Sequence, residues 1–287
     1  MTPSYVKPFT YQVPWKSSSQ HFGDHRGTQR GLGFEFRGNV SLVDYPDARR
    51  MDLRQTLRDP YEQVQVKVFN QDNTTPVYAI CDLSGSMQYQ GLQRKIDRAK
   101  EIAASIASSA FNAGDVFSFI AYDSAVIESY TLPLSHHLHQ SLEVIDQLHQ
   151  HAGTYVGGEG ILEVPQYLSQ NRGLVFWISD FHMPLPLIEE ALNMMSRHQV
   201  IPVVLWDPME YRNLPKFGFG TMIDPETGIR RTVFFREALT EKFKVAFAQR
   251  QATLEHLFLK FEYPPLFMES AYTSAAITHY FEQYMNL

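Results

Sequence analysis

A chain of 287 residues with 44% hydrophobic side chains has material for a well-buried core, and no stretch approaches the ~18–20 continuous apolar residues of a membrane span. Its single cysteine, Cys81, excludes an internal disulfide and a cysteine-based zinc site, and a net charge of −6 argues against nucleic acid as a partner. The polar, proline-punctuated start, Met1 to Gln20, lacks an apolar leader core, so the expected compartment is the cytoplasm.

Residues 1–75 are rich in glycine and arginine, with a turn at Tyr45-Pro46-Asp47 and a strand-like alternation of Val64, Val66 and Val68; they are expected to form an N-terminal extension packed on the body. They carry 10 basic and 8 acidic side chains, whereas residues 76–287 carry 15 and 23, so the acidic excess belongs to the later part and suits a cation or a basic partner. From Pro76 onward, apolar runs alternate with amphipathic stretches, which predicts βα units around a mainly parallel central sheet flanked by helices. Val77–Cys81 is the first buried strand. A helix over Gly91–Ala110 follows, its apolar positions Leu92, Ile96, Ala99, Ala103, Ile106 and Ala110 stepping by four and three while Arg94, Lys95, Arg98 and Glu101 take other faces.

Val116–Tyr122 and Val126–Leu132 read as an antiparallel hairpin, and Ser135–Gln150 as a helix. Past the glycine-rich patch Gly157–Gly160, a short helix ends near Ser169, and Leu174–Ser179 is a buried central strand. Helix Leu187–Arg197 leads to strand Val200–Trp206, placed at a sheet edge because Pro202 cannot donate to a ladder. Gly228 marks a turn between two extended pieces, followed by helices over Arg236–His256 and Ser274–Tyr284. The division expected is 1–75 as the extension, 76–210 as the core carrying the site, and 211–287 as a hairpin and helices that complete the same body.

The chemistry concentrates in Asp82-Leu83-Ser84-Gly85-Ser86, directly after the first buried strand. Oxygen atoms at alternate positions project to one side, and at the carboxyl end of a parallel strand that side faces the crevice where α/β proteins bind ligands. Hydroxyls with few carboxylates suit Mg²⁺, which keeps several waters and so has room for an incoming ligand; Mn²⁺ and Ca²⁺ are the other candidate ions. The competing reading of these residues is a helix N-cap.

Asp-x-Ser-x-Ser after an apolar strand resembles the metal-ion-dependent adhesion site (MIDAS) of the von Willebrand factor type A (VWA) superfamily, and two more pieces match it. Ala152-Gly153-Thr154 is similar to that family's threonine loop, and Trp177-Ile178-Ser179-Asp180 to its aspartate loop. The resemblance implies a Rossmann-like fold in which Ser84, Ser86 and Thr154 bind metal through hydroxyls. Asp82 and Asp180 would act mostly through water, and one coordination position would stay open for a partner's carboxylate.

Gly31–Phe36, Tyr45–Asp52, Arg172–Phe181 and Asp207-Pro208-Met209-Glu210 are similar to the bacterial branch called domain of unknown function 58. Its members commonly accompany MoxR-type AAA+ ATPases in maturing or inserting metals into client proteins. Some, called MxaS, belong to methanol dehydrogenase assembly. The resemblance implies a non-enzymatic adaptor or chaperone component, and the absence of a Gly-x-x-x-x-Gly-Lys-Ser/Thr loop assigns ATP hydrolysis to the partner. The alternative is a Mg²⁺-dependent phosphohydrolase of haloacid-dehalogenase type, which needs a second acid where this chain has Ser84.

Four other groups stand out. His21 and His25, and His136, His137 and His139, are expected to be solvated loop histidines without a converging third ligand set. Arg49, Arg50, Arg54 and Arg58 are expected to pair with Asp44, Asp47, Asp52 and Asp59, and Phe234, Phe235, Phe243 and Phe247 to pack in the core.

Overall fold

Runs that are apolar at every position can only be buried on both faces, and two of them form the centre of the sheet. The computed structural model describes residues 3–13, 15, 25–44, 46–61, 63–151, 157–212, 214, 217–223, 228–269 and 271–285, with 25–37, 68–73 and 223 described by their backbone alone. In chain order the elements are β1 (His25–Ser41), α1 (Leu53–Thr56), β2 (Gln65–Asn73), β3 (Pro76–Asp82), α2 (Lys95–Asn112), β4 (Val116–Tyr122), β5 (Leu132–Ser135), α3 (Leu138–Asp146), β6 (Leu174–Ser179), α4 (Leu185–Met194), β7 (Gln199–Leu205), β8 (Gly218–Ile223), β9 (Arg230–Phe235), α5 (Glu237–Lys260), β10 (Leu266–Met268) and α6 (Ser274–Tyr284). The six-stranded sheet has the order β10-β7-β6-β3-β4-β5, parallel except for β5. This is the Rossmann-like α/β architecture that the sequence predicts.

Alternation along β3 divides the core. Val77, Ala79 and Cys81 join the apolar cluster of α2, α6 and the N-terminal residues Phe9 and Tyr11, whereas Tyr78 and Ile80 join α4 and α5. Each large side chain so buried contributes about 1.5–3 kcal/mol. Cys81 is fully buried in β3, and burial, with the Asp82 carboxylate next to it, pushes its thiol pKa well up. The extended segment before β1 is tied to α2 by its backbone, Lys7 N and Phe9 N donating to Ser105 Oγ (3.0 Å) and Ser109 Oγ (2.8 Å). Tyr11 donates its hydroxyl to Asp115, whose other oxygen accepts from Thr75 N at 2.7 Å. β1 and β2 form their own two-stranded antiparallel ribbon, as do β8 and β9.

Several boundaries differ from the sequence reading, for physical reasons. β7 lies between β6 and β10, not at an edge; β10 begins its ladder at Val203, one residue past Pro202, so the missing N–H costs the outer pairing nothing. The predicted strand Val126–Leu132 is a bridge at Val126 and a 3₁₀ turn over Glu128–Tyr130, and the true partner of β4 starts at Leu132. The helix expected over Gly91–Ala110 begins at Lys95, four residues later. Its polar positions Lys95 and Arg98 are buried instead of facing solvent, because its first turn lies under the acidic end of the sheet. The short helix before Ser169 is two 3₁₀ turns with Pro165 opening the second.

His198, at the turn into β7, shows how burial couples fold to pH. Its Nδ1 accepts from Gly173 N at 3.1 Å, and burial, reinforced by Arg197 and Arg172, lowers its pKa from 6.5 to about 4. A depressed histidine pKa contributes stability that is complete above the unfolded value and is lost as pH falls through the folded one. Urea denaturation should therefore show roughly 2–3 kcal/mol lost through this group between pH 7 and pH 4. In His198→Gln, which keeps an acceptor but cannot titrate, the pH dependence should flatten by that amount. An unchanged slope would remove His198 as the cause.

Candidate functional site

The order of the strands dictates where a ligand can enter. From β3 the chain moves to β4 on one side and later to β6 on the other, so the connections after β3 and β6 diverge to opposite faces and leave a crevice at their carboxyl ends. Asp82 ends β3 and Asp180 follows β6, so the two carboxylates flank that switch point. Both are buried, as are Ser84 and Ser86 at 3% and 5% exposure.

The Asp82 loop folds back on its own acid. Ser84 N donates to Asp82 Oδ1 at 2.8 Å, and Ser179 Oγ, from the end of β6, donates to Asp82 Oδ2 at 2.6 Å. The Ser84 and Ser86 hydroxyls lie 3.3 Å apart. Helix α2 starts nine residues after Ser86 with Arg94 at its N-cap position, so Asp82, Ser84 and Ser86 do not serve as its N-cap; Ser84 precedes only a 3₁₀ turn and makes no side-chain cap bond there. Thr154 lies outside the described residues. The chain just beyond it does reach the site: a Cβ built on Gly158 would stand 3.8 Å from Asp82 Oδ2 and 3.2 Å from Met183 Cε.

Asp180 occupies a strained and heavily supported turn. Phe181 next to it has φ +53°, a left-handed conformation unusual for an aromatic residue, held by packing on Trp177 and Phe258 with ring centroids 4.8 and 5.1 Å away. Trp206 Nε1 donates to the Asp180 carbonyl at 2.9 Å, and His182 N donates to Asp180 Oδ1 at 3.2 Å. Arg250 on α5 donates to the carbonyls of Phe181 and Met183.

Sequence reasoning missed the cation at the centre of this arrangement. Lys95, wholly buried, donates through Nζ to Asp180 Oδ2 at 2.8 Å and to Glu210 Oε1 at 2.5 Å. Glu210 in turn accepts from Asp207 N at 3.0 Å, closing a capping box. Asp207 accepts from Leu92 N at 3.0 Å, and Gly91 passes so close that a Cβ there would fall 2.4 Å from the Asp207 carboxylate. The signal available in the sequence was the Asp207–Glu210 segment itself, quoted above for its family similarity alone. Asp180, His182 and Glu210 have ligand atoms within 4.8 Å of one another, but the Lys95 ammonium already engages two of the three.

The electrostatics follow from this inventory. Burial and the charge of Asp180 push the Asp82 carboxyl up; Asp180 is also opposed by burial, but the Lys95 ammonium outweighs it and holds the group low. Among the described residues, the buried carboxylates Asp82, Asp180 and Asp207 and the partly buried Glu210 face the buried cations Lys95 and Arg98. The partly buried Arg250 adds a third cation beside Asp180. A shell with an acidic surplus beside the paired Ser84 and Ser86 hydroxyls fits a divalent cation, since buried charge without compensation is costly.

The remaining expectations are settled less uniformly. Arg50 pairs with Asp47 at 3.5 Å, whereas Asp52 caps α1 and pairs with Lys67 at 3.7 Å. His139 pairs with Glu143, and His136, His137 and His139 join no ligand group among the described residues; the side chains of His21 and His25 lie outside them. Phe235 is buried, and Phe247 stacks on Tyr211 at 4.6 Å beside Trp206. Phe234, expected in the core, is instead 41% exposed on the β8–β9 hairpin, beside Phe217 and Phe219. No helix among the described residues is long and apolar enough to cross a membrane.

Among solved structures, the chain is similar to BatB from Bacteroides thetaiotaomicron (13% identity, 73% of this chain and 98% of that one, TM-score 0.46). It is also similar to an aerotolerance-related membrane protein from Bacteroides fragilis (12%, 74% and 98%, 0.43) and a von Willebrand factor type A protein from Catenulispora acidiphila (18%, 48% and 35%, 0.36). No curated protein matches it. The model of the family described as "Protein of unknown function DUF58" matches residues 45–253, well over half of the chain. This chain belongs to the DUF58 family.

Proposed function

We propose that this protein is a non-enzymatic, metal-dependent adaptor, in which Ser84, Ser86 and Thr154 hold a divalent ion, Mg²⁺ foremost, and the ion grips an acidic side chain of a protein partner. The observation that carries this reading is the engagement of the carboxylates. Both oxygens of Asp82 and both of Asp180 already accept hydrogen bonds from this chain, which leaves neutral hydroxyls as the natural direct ligands. An ion held by neutral ligands keeps most of its charge and attracts an anionic one. The same engagement speaks against the phosphohydrolase reading, which needs Asp82 as a free nucleophile and an acid at the position of Ser84.

The partner that the family resemblance suggests is a MoxR-type AAA+ ATPase, whose ATP hydrolysis would drive maturation of, or metal insertion into, a client; methanol dehydrogenase is one such client. The test is co-purification of the chain with its cognate MoxR-type ATPase. The complex should form in Mg²⁺, dissociate in excess chelator and re-form when Mg²⁺ is restored. Equal recovery with and without chelator would end the proposal.

A further inference from the structure

A lysine with no exposed surface has to be explained by what it neutralises. Lys95 enters the site from the first turn of α2, and its ammonium lies between Asp180, 85 residues away in sequence, and Glu210, 115 away. Two acids on separate loops converge on one monovalent cation, at the carboxyl ends of the strands where the proposed dication would sit. The whole cluster also holds Asp82, Asp207 and Arg98 in buried positions.

We propose, resting on the metal-binding reading above, that Lys95 is a tethered counter-ion that sets the charge and thereby the affinity of the metal site. It occupies Asp180, keeps that carboxylate out of direct coordination, and leaves the cluster with a net negative charge smaller than its carboxylates alone would give. Lys95 is thus a positioning residue, acting on the ion through Asp180 and the local field. Two close charges of opposite sign interact strongly where water is excluded, so deleting one has a large effect on any third charge nearby.

Opposite changes should follow from removing the cation and removing an anion. Titration calorimetry of the full chain with Mg²⁺ alone should show at least tenfold tighter binding in Lys95→Met and roughly three- to tenfold weaker binding in Glu210→Gln, magnitudes set by the Coulomb scale. The double variant, which restores the net charge, should return to within about threefold of the parent. A purely architectural lysine predicts another pattern: weaker binding in both single variants and weaker still in the double. Thermal unfolding adds a second readout, because Lys95→Met leaves Asp180 and Glu210 without their cation and should gain more melting temperature from added Mg²⁺ than the parent does.

Unchanged or weaker binding in a folded Lys95→Met protein overturns the proposal. Should that variant fail to fold, the double variant decides: binding tighter than in Glu210→Gln supports the proposal, and binding no tighter than in Glu210→Gln overturns it. Absence of Mg²⁺ binding by the parent chain removes the metal reading itself. Parent binding that Lys95→Met fails to tighten removes only the role given to Lys95.

Discussion

Asp82→Ala should reduce Mg²⁺ binding at least a hundredfold in titration calorimetry, to the point where no heat of binding is resolved. The expectation rests on two losses at once. One negative charge leaves a cluster whose acidic surplus is what attracts a dication. The carboxylate is also the element that shapes the loop, since its Oδ1 holds Ser84 N and its Oδ2 holds Ser179 Oγ. Groups that orient metal ligands through hydrogen bonds typically alter metal affinity 10–100-fold by orientation alone, and here the charge adds to it. The fold should survive, because the variant relieves a buried acid whose pKa burial and Asp180 already push up. Asp82→Asn separates the two losses by keeping a side-chain oxygen while removing the charge, and should fall between parent and Asp82→Ala. Full-strength binding in folded Asp82→Ala would place the ion elsewhere or remove it altogether.

Trp206→Ala should destabilise the protein by about 3–5 kcal/mol in urea denaturation. The indole is 1% exposed and stands among Phe247, Phe267, Tyr211 and the His182 ring, which lies parallel to it at 6.0 Å. Its Nε1–H is also the donor to the Asp180 carbonyl. Truncation therefore opens a cavity and leaves a buried acceptor without its partner, two costs with separate origins. Trp206→Phe keeps most of the volume and should cost only about 1–2 kcal/mol, the share belonging to the hydrogen bond. A loss below about 1 kcal/mol in Trp206→Ala would show that this wall does not support the turn at Asp180.

How much could be read from the residues depended on whether the decisive neighbours were local. β3 and β6 were plain because strands buried on both faces must be apolar throughout, and the Asp82–Ser86 loop followed because it abuts one of them. The crevice was legible for the same reason, the carboxyl ends of parallel strands being fixed once the βα alternation is seen. Lys95 was not, since a lysine on an amphipathic helix reads as solvent-facing; its burial is decided by acids 85 and 115 residues away. β7 was misplaced because Pro202 forbids one hydrogen bond, and only the late, three-residue strand β10 shows that this bond was never needed. Phe234 looked like core by composition, but a two-stranded ribbon outside the main sheet has too little surface above it to cover such a ring.

The sealed thiol of Cys81 gives the molecule a built-in clock. Lying in the central strand one residue before Asp82, it is shielded from alkylating reagents while that strand stays closed, and burial disfavours the reactive thiolate as well. Because the sequence holds one cysteine, every modification event marks the same spot, and its rate counts openings of β3 without any label being engineered. Whatever binds beside Asp82 thereby writes its presence into how long that sulfur remains untouched.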